Sequence, residues 1–267
     1  MTPNPLYDQL RQGPFFIAGP CVIESQELLD EVAAELSRLR TLLNVPIVFK
    51  SSFDKANRTS GAAFRGPGVT KGLEMLAAVK SRFDLPLTTD IHESWQAPVV
   101  AEVVDILQIP AFLCRQTDLL LAAAHTGNIV NVKKAQFLSG ADMHYPAEKI
   151  AETGNTQLLL TERGNMFGYN NLVVDFRNIP DMKALGYPVV MDCTHSVQRP
   201  GGAAGKTGGN REYVPLMAYA AQAFGANGYF LEVHPDPDTA PSDGPNMLYI
   251  KDLEGVMRNL LCAKSST

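Results

Sequence analysis

Eight short apolar runs recur along this chain, and each is followed by a stretch with helical spacing. The runs are PFFIAGP (14–20), PIVFKSS (46–52), PLTTDI (86–91), VVDILQIP (103–110), IVNVKK (129–134), QLLLTER (157–163), PVVMDCTH (188–195) and GYFLEVH (228–234). They are rich in Val, Ile, Leu and Phe and too short for helices, so they read as buried strands. Helical segments at 25–43, 68–83, 94–103, 116–127, 146–154, 179–186, 211–226 and 245–263 fill the gaps. Ser25 is placed to cap the first, and several others close on glycine. Strand-then-helix repeated eight times predicts an α/β chain folded as a (β/α)8 TIM barrel, a fold of about 250 residues. An open doubly wound sheet fits the alternation too, but the chain lacks the GxGxxG turn of that fold. No linker divides the sequence, so residues 1–267 are expected to form a single domain. The Gly-rich RPGGAAGKTGGN (199–210) and HPDPDTAPSDGPN (234–246) read as long loops after the seventh and eighth strands.

Composition narrows the partners. The chain has 267 residues, 45% of them hydrophobic and 19% charged, enough to bury a sizeable core. A formal net charge of -5 argues against nucleic acid and anionic membranes as partners. No apolar run approaches the roughly 20 residues of a membrane span, and the polar start MTPNPLYDQLRQG lacks a signal-peptide core. A cytoplasmic enzyme is the expectation. Cys21, Cys114, Cys193 and Cys262 are scattered, without a CxxC pair, so disulfides are not expected. Cys114 and Cys262 read as small buried hydrophobes, and the core reading is preferred for Cys193.

Active sites of barrels gather at the C-terminal ends of the strands. Polar residues there fall into two kinds. Lys50, Lys55, Arg58, Lys134 and Arg163 are cationic, and five such groups at strand ends suit a multiply charged anion such as phosphate. Taken singly, each reads more readily as a rim residue with its head in water. Cys21, His195, Glu232 and Asp243 are ligand-like. Ring closure makes the first and last strands neighbours, so the four should meet, and a thiolate, an imidazole and two carboxylates suit Zn, Fe or Mn. The alternatives stay open: a core cysteine, His195 as a general base, Glu232 paired with a lysine, or His234 as a substitute ligand. A Schiff-base aldolase using Lys133 or Lys134 and a non-catalytic sugar-phosphate binding protein are the rival functions.

The segments FIAGPCVIES, FKSSFDKANRTS, FRGPG, LPLTTDIHE, DILQIPAFLCRQTDLL, NVKKAQF, TERGNMFGYNNLVVDFR, MDCTHSVQRPGG and FLEVHPDPDTAPSDGPN closely resemble the 3-deoxy-D-manno-octulosonate 8-phosphate synthases. The resemblance runs from about Phe15 to Met257. Heptulosonate and sialic acid synthases are the next relatives, and the KANR and FGYNNLVVDF stretches look like the octulosonate branch. The resemblance implies a transferase, a TIM barrel and a homotetramer. It would condense phosphoenolpyruvate with D-arabinose 5-phosphate and water, in a route to lipopolysaccharide or plant cell-wall polysaccharide. It also implies a divalent metal ion, because members with Cys at the position of Cys21 are metal-dependent and those with Asn are not. By the same resemblance Cys21, His195, Glu232 and Asp243 hold the metal. Lys50, Lys55, Gln108, Lys134 and Arg163 hold phosphoenolpyruvate. Asn57, Arg58 and Thr59 hold the sugar phosphate, while Asp90 meets the sugar or the metal's water. Cys21, His195, Asp90 and Lys55 are the catalytic set. Lys133, opposite in parity to Lys134, ranks behind it.

Overall fold

The computed structural model describes residues 4–58, 60–203 and 206–262. All eight expected strands form: β1 (Phe15–Gly19), β2 (Ile47–Lys50), β3 (Leu87–Asp90), β4 (Ile106–Ile109), β5 (Ile129–Lys133), β6 (Leu158–Glu162), β7 (Val189–Asp192) and β8 (Gly228–His234). They pair in sequence order, all parallel, and β8 returns to pair with β1. The sheet is thus a closed barrel, and closure leaves no free edge. Helix α1 (Pro5–Gln12) precedes it. The barrel helices are α2 (Gln26–Leu43), α3 (Val69–Phe83), α4 (Gln96–Ala101), α5 (Thr117–His125), α6 (His144–Ala151), α7 (Asn178–Lys183), α8 (Val214–Ala223) and α9 (Ile250–Cys262).

Local chemistry explains the element ends. Ser25 caps α2 by accepting from Leu28 N at 3.2 Å, and Asn44 closes it in the left-handed region. The buried face of α2 is Leu29, Val32, Ala33, Leu36 and Leu39, a helical period against the barrel wall. Gly19 ends β1 where only glycine fits. Its φ is 155°, and a Cβ there would lie 2.0 Å from Lys50 O.

Two apolar layers result. One lies between strands and helices. The other fills the barrel's lower interior with Phe15, Ile17, Val48, Ile106, Ile129, Leu159, Val190 and Phe230, closed from below by Tyr7 and Leu10 of α1. Tyr7 Oη fastens that plug by donating to Leu158 O at 3.1 Å. Because side chains alternate along a strand, the residue two beyond each interior residue also points inward. That parity carries the interior upward from apolar to polar: Val48 to Lys50, Ile106 to Gln108, Ile129 to Asn131 and Lys133, Leu159 to Thr161 and Arg163, Val190 to Asp192, Phe230 to Glu232.

Two expectations change, and one element appears that had not been expected. The Gly-rich 199–210 segment is not an open loop: Gln198–Ala203 pairs antiparallel with Lys206–Gly209. A second ribbon pairs Asn165–Gly168 with Asn171–Val173, its turn made by Tyr169 and Asn170 at φ 51° and 55°. Both ribbons arise from turn chemistry and backbone pairing, which leave no apolar period to read. Cys262 is exposed rather than buried, because it ends α9 on the solvent side, while Cys114 and Cys193 are core residues as expected. Among the described residues no helix is long and apolar enough to cross a membrane.

Candidate active site

Barrel closure sets Gly19 of β1 level with Glu232 of β8. Cys21 follows two residues after Gly19 and runs beside the end of β2, where Ser52 N donates to Cys21 O at 3.4 Å. Asp243 comes from the loop after β8, with φ 52°. One ligand atom from each of Cys21, Glu232 and Asp243 lies within 4.8 Å of the others. The Cys21 thiol donates to Asp243 Oδ2 at 3.3 Å and shares a 2.8 Å hydrogen bond with Ser242 Oγ. His195 stands outside that mutual set but faces it, its Nε2 being 3.6 Å from Glu232 Oε1 and 3.8 Å from Asp243 Oδ2.

Asp192 orients the imidazole. Its Oδ2 lies 2.8 Å from His195 Nδ1, and its Oδ1 accepts from His195 N at 2.8 Å. An ionised carboxylate can only accept, so Nδ1 carries a proton toward Asp192, and Nε2 is the nitrogen turned toward the acids. Asp192 also takes Lys133 Nζ at 2.7 Å. The sequence reading missed Asp192. Its signal was there: it sits on the inward parity of β7, whereas Cys193 points out to the helix layer. Counting parity on to His195 fails because the strand ends at Asp192 and His195 begins a 3-10 turn.

The cations and acids interleave, where the sequence reading placed them in two separate groups. Lys50 donates to Glu232 Oε1 at 2.9 Å and to Cys21 O at 3.2 Å, and lies 3.7 Å from Asp90 Oδ2. Lys55 is 3.9 Å from the same Glu232 oxygen. Lys50 and Lys133 also stand 5.3 and 3.9 Å from the centroid of Phe230, whose ring face attracts cations. Burial would raise the Glu232 carboxyl, but Lys50, His195 and Lys55 hold it down at about 2. Burial works the same way on Asp90 and Asp192 and is likewise overcome. Lys50 and Lys55 keep Asp90, and His195 and Lys133 keep Asp192, well below the usual carboxylate range. The Cys21 thiol goes the other way: burial, with Glu232 adding to it, pushes it above the usual thiol range.

A polar chain runs around the strand ends beneath these groups. Ser52 and Gln108 Nε2 donate to Asp90, the latter at 2.6 Å. Asn131 donates to Gln108 Oε1 at 3.0 Å, and Thr161 donates to Asn131 Oδ1 at 2.6 Å. Each amide has thus one fixed orientation, and Gln108 is held from both sides.

Other expected residues fall elsewhere. Lys134 points away from the barrel axis, where Leu138 O, Asn165 Oδ1 and Ala135 O take all three of its protons at 2.9, 2.8 and 3.3 Å. Lys133, ranked behind it, is the lysine that enters the pocket. Arg163 enters too: Nη2 donates to Gln198 Oε1 at 2.9 Å, while Nη1 is buried with no hydrogen-bond partner among the described residues. Asn57 is exposed on the loop after β2, and Arg58 is half-buried there, its Nε donating to Phe64 O at 3.2 Å. Thr59 lies outside the described residues. His234 turns to Glu24 at 3.3 Å and accepts from Asp236 N, so it does not replace His195.

The donor set fits a divalent cation. Glu232 Oε2 is buried and lacks a hydrogen-bond partner among the described residues. A thiol held protonated by burial beside two acids is stable as a thiolate only with positive charge at its sulfur. Sulfur, oxygen and an imidazole nitrogen suit a borderline metal.

Comparison with known proteins agrees with this architecture. The chain matches the DAHP synthetase I family over residues 11–263. It is 55% identical over 254 residues to a protein of Cyanothece sp. named 2-dehydro-3-deoxyphosphooctonate aldolase, covering 95% of this chain and 93% of the relative. Proteins of the same name from Granulibacter bethesdensis and Nitratidesulfovibrio vulgaris are 58% and 53% identical, over 92% and 97% of this chain and 88% and 95% of theirs.

Proposed function

The chain belongs to the DAHP synthetase I family, and we propose that it condenses phosphoenolpyruvate with D-arabinose 5-phosphate and water. The products are 3-deoxy-D-manno-octulosonate 8-phosphate, a lipopolysaccharide precursor, and inorganic phosphate. The observation that carries this reading is the meeting of Cys21, Glu232 and Asp243 within 4.8 Å, beside Lys50, Lys55 and Arg163. The relatives named 2-dehydro-3-deoxyphosphooctonate aldolase support the substrate pair.

In this reading Lys50, Lys55, Lys133 and Arg163 hold the phosphate and carboxylate of phosphoenolpyruvate, with Gln108 fixed by Asn131 as a neutral donor. Lys134 serves the fold rather than the substrate. Most of these cations already face a carboxylate, so the free donor Arg163 Nη1 is the natural first contact for an anion. Asn57, Arg58 and Thr59 take the sugar phosphate, placing the aldehyde carbon near C3 of the enol. C3 attacks the aldehyde carbon, whose oxygen gains a proton. Water adds at C2, and phosphate leaves as the C2–O bond breaks, with the P–O bond intact. Asp90 meets the sugar or the attacking water. A divalent ion held by Cys21, His195, Glu232 and Asp243 would supply Lewis-acid polarisation or a water of lowered pKa.

The reading takes residues 1–267 as one domain, assembled as a homotetramer in the cytoplasm. Exposed Trp95, Phe112, Tyr145 and Phe167 supply apolar surface for assembly, and the unpaired cysteines suit a reducing compartment. Phosphate release is the test, run with both substrates, after chelator and again after metal add-back. Release that needs arabinose 5-phosphate, stops with chelator and returns with metal is the expected result. Preference for erythrose 4-phosphate, or borohydride trapping of a lysine adduct, would overturn the reading.

A further inference from the structure

Gln198 lies between the two halves of the pocket. Its Oε1 accepts from Arg163 Nη2 at 2.9 Å, and its Nε2 donates to Asp243 Oδ1 at 2.9 Å. Chemistry fixes this orientation, because a guanidinium only donates and a carboxylate only accepts. A flipped amide would set donor against donor at one end and acceptor against acceptor at the other.

Each end has a consequence. At Asp243, Oδ1 is occupied, so Oδ2 is the oxygen turned to Cys21 Sγ at 3.3 Å and His195 Nε2 at 3.8 Å. At Arg163, Nη2 is engaged by Gln198 and by His195 O, which leaves Nη1 as the buried donor without a hydrogen-bond partner among the described residues. The stem of Gln198 is itself fixed. It closes the 3-10 turn His195–Val197 and pairs with Gly209. Opposite it stands Gly209, where a Cβ would overlap the buried Asn246 side chain unless that amide moved.

We propose that Gln198 is a positioning residue that couples an anion subsite at Arg163 to the cation subsite at Asp243. The inference rests on the function proposed above. Filling either subsite holds one end of the amide, and the other end then presents its partner in the binding geometry. Coupling of two binding equilibria is reciprocal. A bound cation therefore tightens phosphoenolpyruvate by the factor by which phosphoenolpyruvate tightens the cation.

The test uses Gln198→Met, which keeps an unbranched side chain and removes both bonds. Calorimetry follows phosphoenolpyruvate binding to chelator-treated and Mn²⁺-loaded protein, and competition with a chromophoric chelator gives Mn²⁺ affinity. The variant should bind each ligand about tenfold more weakly, at the lower end for losing a partner of a metal ligand. The mutual tightening should fall to near one. Gln198→Asn withdraws the amide by one methylene, so it reaches at most one partner and should also abolish the coupling, should the methionine variant not fold. Weakening at one subsite alone, or full mutual tightening in either variant, overturns the proposal. Wild-type protein that binds neither ligand overturns the underlying function instead.

Discussion

Cys21 shows how opposite demands meet on one residue. Burial and the Glu232 charge favour its thiol, yet Asp243 and the Glu232 carboxylate around it form a cage for positive charge. A divalent cation, as proposed above, would draw the thiolate form out of that thiol. If the proposed metal site holds, Cys21→Ala should retain no divalent metal after loading and dialysis, measured by elemental analysis, and should lose most turnover. Strong activity in the metal-stripped variant would refute this. Arg58 carries a different expectation. A distal phosphate supplies binding energy that positions the aldehyde, so Arg58→Ala should raise KM for arabinose 5-phosphate by about tenfold or more, while kcat changes less. Steady-state kinetics with the sugar varied checks it, and a fall in kcat at unchanged KM counts against the assignment. Lys133 and Lys134 mark a limit of reading residues locally. Both faces of a barrel strand are buried, so Ile129-Asn131-Lys133 and Val130-Val132-Lys134 look equally like an interior face. Only the packing of Ile129 with the interior cluster decides between them.

Elements followed the sequence where an apolar period or a cap announced them. The Ser25 cap is such a case. Ser25→Ala removes the acceptor for Leu28 N and should cost about 1 kcal/mol, read as a lower urea midpoint at unchanged slope. An unchanged midpoint would show that α2 is fixed by packing alone. The two antiparallel ribbons went unread for a physical reason. Gln198–Ala203 and Lys206–Gly209 are rich in glycine and held by backbone bonds, so they carry no alternating apolar signal. Gln198 sits at the base of one ribbon, and that is why a residue just before an apparent loop touches both Arg163 and Asp243.

At the scale of the whole molecule the pocket is a store of charge held, against burial, by pairing of opposite signs. Asp90, Asp192 and Glu232 all have carboxyls below their ordinary values, so the unfolded chain binds more protons than the folded one in acid. Their stabilisation is complete above the ordinary carboxylate range. For Glu232 it is lost as pH falls from 4.5 toward about 2. These carboxyls should thus leave the urea midpoint unchanged near neutrality and lower it steeply through that window. A midpoint at pH 3 equal to that at pH 6 would show that these pairs do not support the fold. Sedimentation should give a particle of four 29.0 kDa chains, and a monomer at micromolar concentration would end the tetramer proposal.

Taken alone, the sequence determined the eight-fold alternation and therefore the barrel, because apolar period and helix caps are local properties. It also determined which residue types stand at the strand ends. Tertiary structure alone decided which of those side chains share a space. Closure of β8 on β1 brings Cys21, Glu232 and Asp243 together, Asp192 sets the face of His195, and Lys133 rather than Lys134 turns inward. The partners range from three positions apart, Asp192 and His195, to 222, Cys21 and Asp243. The long-range meeting has no local pattern, because the energy that selects it appears only when the ring is closed.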